Sequence, residues 1–87
     1  MTIDIAKIRA DTPGCENLLH FNNAGAALTP APVLERVISH LHREAAIGGY
    51  EAAAEAQGEI SAAYHSAARL VGGTVDEIAF IENATRA

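Results

Sequence analysis

Thr29 to Gly49 reads TPAPVLERVISHLHREAAIGG, and this stretch decides the fold class. Thr29 can cap a helix, Pro30 and Pro32 are tolerated in a first turn whose N–H groups have no partner, and Glu35 sits where the helix dipole favours an anion. Val33, Leu34, Val37, Ile38, Leu41 and Ala45 then recur at spacings of three and four, which is one apolar stripe on a helix. Gly48-Gly49 ends it. The pattern predicts an amphipathic helix of about four turns.

Downstream, Tyr50 to Val71 is rich in alanine and free of proline, with Ala53, Gln57, Ile60, Tyr64, Ala67 and Val71 on one face. This predicts a second long helix, with Gly58 as a soft spot of about 1 kcal/mol relative to alanine. Gly72-Gly73 closes it, and Thr74-Val75-Asp76-Glu77 has the spacing of a capping box. Ile78 to Ile81 follows as a short predicted strand with β-prone side chains. Upstream, Asp4 can cap a short helix over Ile3 to Ala10, which Thr12-Pro13-Gly14 stops. Leu18 to Phe21 suits a brief strand entering a loop. The expectation is an α-rich chain whose two long helices form a hairpin, with short strands and a short N-terminal helix. No internal boundary divides residues 1–87.

Composition sets the limits on function. The chain has 87 residues, 49% hydrophobic, but alanine supplies much of that, with two Phe, two Tyr and no Trp. A chain of this size buries only about 60 to 65 per cent of its unfolded surface, so its stability is marginal and self-association, as a homodimer, is expected. The net charge is -5, and Lys7, Arg9, Arg36, Arg43, Arg69 and Arg86 are spread along the chain. That argues against nucleic acid or an anionic membrane as partner. No apolar run reaches the roughly 18 to 20 residues of a membrane span, and the N-terminus lacks a signal-peptide pattern, so the expected location is cytoplasmic. Cys15 stands alone and permits no internal disulfide.

Few residues point to chemistry by themselves. His40 and His42 lie two apart on a helix and face different ways, His20 and His65 have no spaced partner, and no metal site is expected. Glu51, Glu55 and Glu59 read as a solvated acidic face. The tetrapeptide Asn22-Asn23-Ala24-Gly25 also occurs in short-chain dehydrogenases. That reading needs a glycine-rich phosphate loop upstream and a Tyr-x-x-x-Lys pair downstream. Only 21 residues precede Asn22, and Ala68 occupies the fourth position after Tyr64. Taken alone, Asn22 to Gly25 is a glycine-bearing turn in which Asn tolerates left-handed backbone and bonds locally. Asn83-Ala84-Thr85 has the form of a strand giving way to a helix N-terminus, where free N–H groups and a hydroxyl suit either a helix cap or a phosphate.

Three separated blocks, FNNAGAALTPAPV from Phe21, GGYEAA from Gly48 and DEIAFIENATRA from Asp76, together resemble the N-terminal portion of the class V aminotransferase family. That family includes cysteine desulfurases, related C–S lyases and an isopenicillin epimerase, all pyridoxal-phosphate enzymes acting on amino-acid-like substrates. The resemblance covers nearly the whole chain in the family's order. It implies that the full-length protein has the α/β pyridoxal-phosphate fold of type I. It also implies that Ala84 and Thr85 hold the cofactor phosphate, and that Asn23, Ala24 and Gly25 form a substrate-side loop. Tyr50 and Glu51 could face such a site, although packing at a helix start explains them more simply.

The chemistry of that family needs a lysine amine to bond the cofactor and an acidic partner for its pyridine nitrogen. Lys7 is the only lysine, and it lies far ahead of where the family places the catalytic one. The chain is therefore expected to be an N-terminal segment of a larger enzyme, catalytically silent alone, with no catalytic residue of its own. The alternative is a small helical oligomerisation or interaction module derived from the same family.

Overall fold

A computed structural model describes residues 2–87. The described residues form four α-helices: α1 (Ile5–Ala10), α2 (Ala31–Ile47), α3 (Gly49–Glu55) and α4 (Gln57–Val71). Single 3₁₀ turns cover Pro13–Glu16, Val75–Glu77 and Ala84–Arg86. The α-rich expectation holds. The chain divides into two compact units, one up to Ile47 and one from Gly48 onward.

In the first unit, α1 starts where its cap predicts. The Asp4 carboxylate accepts from the Lys7 N–H at 3.0 Å, and Lys7 pairs with Asp11 one turn on. The helix stops at Asp11, and Thr12 is buried with its hydroxyl donating to the Ile8 carbonyl at 2.8 Å. A longer-range bond then seats α2: the Ala31 N–H donates to the Asp11 carbonyl at 2.7 Å. This gives one of the orphan donors at the start of α2 an acceptor. Leu28 closes the same region by packing over Gly14, whose missing Cβ would lie 2.9 Å from a Leu28 methyl carbon.

Helix α2 follows its predicted span. Val33, Leu34, Val37, Ile38 and Leu41 are each between 45% and 57% exposed, so the apolar stripe is only half covered. His40 lies 3.4 Å from Glu44 on the same helix.

In the second unit, the predicted helix from Tyr50 to Val71 begins one residue earlier and is interrupted. Ala56, at φ -83° and ψ -2°, separates α3 from α4. The Ala56 N–H donates to the Ala52 carbonyl and completes α3, while the Ala56 carbonyl accepts from the Ile60 N–H and opens α4, so the two helices meet at this residue. It falls beside Gly58, the weakest helix former in the stretch, which accounts for the break that periodicity alone did not reveal. Ala52 and Ala68 are the two buried hydrophobic residues among those described.

Helix α4 ends in a Schellman arrangement. Gly72 is left-handed at φ 73°, and the Gly73 N–H reaches back to the Ala68 carbonyl at 2.8 Å. The capping box then forms as read, with the Glu77 carboxylate accepting from the Thr74 N–H at 2.8 Å. This turn brings the following segment back onto α4, where Phe80 stacks on Tyr64 with ring centroids 4.4 Å apart.

The two predicted strands do not form, and no β-strand occurs among the described residues. Ile78 has extended backbone at φ -107° and ψ 130°, but a strand is defined by a ladder to a neighbour, and neither Leu18–Phe21 nor Ile78–Ile81 has one. No helix of the described residues is long and apolar enough to cross a membrane.

Candidate functional site

The loop from His20 to Ala26 is built on Asn22. Its carbonyl accepts from the N–H groups of Gly25 and Ala26, both at 3.2 Å, and its side-chain Oδ1 accepts from the Gly25 N–H at 3.2 Å. The Asn22 backbone carbonyl and side chain thus share the Gly25 N–H, a local Asn bond of the kind that stabilises turns. The expectation that Asn serves for left-handed backbone is corrected here, because no described residue other than glycine has positive φ, and among the glycines only Gly48 and Gly72 do. Gly25 is required for close approach instead. A Cβ there would lie 2.8 Å from Asn22 Nδ2 and 3.1 Å from Cγ.

Asn23, Ala24 and Gly25 thus share one exposed turn, with Asn23 and Ala24 at its apex. Residues outside the predicted set hold it. Asn22 supplies the acceptors, and His20 places Nε2 2.7 Å from the Ala26 carbonyl. The Asn-x-x-Gly spacing carried the first signal, whereas nothing in the local pattern links His20 to Ala26.

Ala84 and Thr85 lie in the single 3₁₀ turn Ala84–Arg86. The cap is Asn83, whose side-chain oxygen accepts from the Arg86 N–H at 3.1 Å. The helix-cap reading of Thr85 is corrected accordingly: Thr85 lies inside the turn, and Asn83 does the capping. Arg86 Nε also donates to Glu82 at 2.7 Å, which ties the two ends of the turn together. The Ala84 and Thr85 N–H groups stand at the leading edge, where a turn has no internal acceptor for them. Backbone N–H groups and a hydroxyl suit a phosphate edge, so the residues present fit that part of pyridoxal phosphate.

Tyr50 is 92% exposed in the first turn of α3, so packing does not account for it. Glu51 folds back over Gly48, where an added Cβ would lie 2.5 Å from its carboxylate. Lys7 is held in the pair with Asp11. No group of three or more His, Cys, Asp or Glu placed to hold a metal occurs among the described residues. The two candidate turns belong to different compact units, and each stands as a site element by itself.

No protein-family model matches the chain, and neither a curated protein nor a solved structure matches it.

Proposed function

We propose that this chain is the N-terminal segment of a pyridoxal-phosphate-dependent enzyme of the class V aminotransferase type, acting on an amino-acid-like substrate by transamination, C–S cleavage or epimerisation. The observation that carries the reading is the agreement of three separated blocks, at Phe21, Gly48 and Asp76, in one order along the chain. The last block adds support, since both Asn83 acceptors take the Arg86 N–H while Ala84 and Thr85 open the turn, where N–H groups have no internal acceptor.

When bound, pyridoxal phosphate supplies an electron sink for charge developing on an amino acid's carbon skeleton. In this reading the N–H groups of Ala84 and Thr85, with the Thr85 hydroxyl, bind its phosphate edge. The loop at Asn23, Ala24 and Gly25 borders the substrate. In this reading the segment is silent alone, because its one lysine, Lys7, lies far ahead of where the family places the lysine that bonds the cofactor. The reading also includes the type I fold of the full-length enzyme and a homodimer.

The test is made on the polypeptide that carries these residues in its source. Thr85→Ala should weaken pyridoxal-phosphate binding by about tenfold or more, the loss of one hydrogen bond to a charged group, roughly 1.5 to 3 kcal/mol. Thr85→Ser should retain most of it. Equal affinity in the wild type and Thr85→Ala would remove the phosphate assignment.

A second reading, a helical oligomerisation module, is favoured by one observation, the half-exposed apolar stripe of α2. It requires a defined oligomer with cooperative melting and no affinity for the cofactor.

A further inference from the structure

Among the described residues, His20 is a histidine whose ring reaches across a loop rather than along a helix. Its Nε2 lies 2.7 Å from the Ala26 carbonyl, six residues on. A carbonyl oxygen can only accept, so Nε2 carries the proton, and in the neutral ring Nδ1 carries the lone pair. The bond closes the segment that contains Asn22 to Gly25. Within it, Asn22 already draws the Gly25 and Ala26 N–H groups inward through its backbone and side-chain oxygens. Ala26 is the residue where the two sets of bonds meet: its N–H goes to Asn22 and its carbonyl to His20.

Without the imidazole, the turn would rest on Asn22 alone. The flanking residues offer no other anchor, because Leu19 and Phe21 point into solvent on either side of His20.

We propose that His20 is a positioning residue for the Asn22–Gly25 loop, fixing Asn23 and Ala24 at its apex in one conformation before any ligand arrives. This rests on the reading of that loop as substrate-side for its purpose, though not for its geometry. An apex ordered in advance does not have to be ordered by the substrate, which is the general advantage of a preorganised site.

The experiment is amide hydrogen exchange, read at Gly25 and Ala26 by fragmentation mass spectrometry, on the polypeptide that carries these residues in its source, in the wild type and in three variants. His20→Ala removes the donor. His20→Asn keeps a polar side chain but places its amide where Nδ1 was. His20→Gln places its amide where Nε2 was and restores the donor. Both amides should exchange about fivefold faster in His20→Ala and His20→Asn, the loss of a net hydrogen bond of about 1 kcal/mol. His20→Gln should lie within about twofold of the wild type. Unchanged exchange in His20→Ala would overturn the proposal, as would a His20→Gln variant as fast as His20→Ala. No substrate or cofactor enters this measurement, so its failure is separate from that of the functional reading, which the Thr85 variants test.

Discussion

Two glycines of α4 give a matched pair of opposite sign. Gly58 lies in the first turn of the helix with ordinary backbone, and Gly72 ends it at φ 73°. A Cβ built on either meets nothing within 4 Å, so steric contact contributes to neither substitution and the backbone alone decides. Gly58→Ala removes a residue that costs roughly 0.5 to 1 kcal/mol in a helix, through the entropy lost by the unfolded chain. Gly72→Ala forces an L-residue into the left-handed region at roughly 1 to 2 kcal/mol. For a domain of 60 to 100 residues, each kcal/mol moves the melting temperature by about 4 to 8 °C. Gly58→Ala should therefore raise it by roughly 2 to 8 °C, and Gly72→Ala should lower it by roughly 4 to 16 °C. Thermal melts by circular dichroism at one fixed protein concentration read both, since any self-association makes the midpoint depend on concentration. Shifts of the same sign, or a Gly72→Ala variant as stable as the wild type, would refute the assignment of the Schellman end and of the helical backbone at Gly58.

Three further outcomes follow from the same contacts. Glu77→Ala removes the acceptor of the Thr74 N–H and should cost about 1 kcal/mol, read as a fall in melting temperature, whereas Glu77→Gln should recover much of it. Phe80→Leu keeps an apolar side chain but loses the stack on Tyr64, and should cost roughly 0.5 to 1.5 kcal/mol, with loss of the tyrosine's near-ultraviolet dichroism. Leu41→Asp places a charge in the half-exposed stripe of α2; sedimentation equilibrium should show the homodimer of the proposed reading shifted to monomer, and an unshifted dimer would place the interface elsewhere.

What could be read from the sequence was local. The span of α2, the cap at Asp4, the glycine end of α4 and the Thr74-Glu77 box each depend on residues within a few positions of one another. Each is present in the structure. The readings that failed needed information from further away. Leu18–Phe21 and Ile78–Ile81 have strand-forming side chains, but a strand also needs a neighbour, which composition cannot supply. The break at Ala56 falls at a weak point in an otherwise helical run, which the apolar period passes over.

At the candidate sites the same division applies. The Asn22–Gly25 segment reads as a turn with local Asn bonds, and Asn22 makes them; only the left-handed part of that reading fails, because no Asn has positive φ and Gly25 instead leaves room for the Asn22 side chain. The Ala31 N–H bond to Asp11 and the His20 bond to Ala26 join residues with no shared periodicity, so no pattern rule could find them. Thr85 reads as the start of a helix after a strand, whereas the structure has a single 3₁₀ turn with Thr85 inside it and Asn83 as its cap.

The central claim is that these residues belong to a polypeptide that bonds pyridoxal phosphate through a lysine they do not contain. The most direct measurement is made on that polypeptide from its natural source: treatment with pyridoxal phosphate, borohydride reduction, then intact and peptide mass spectrometry. The account predicts an intact mass well above the 9.1 kDa of this chain, with the cofactor fixed on a single lysine other than Lys7. A polypeptide of 9.1 kDa, or one in which no lysine retains the cofactor, would contradict it.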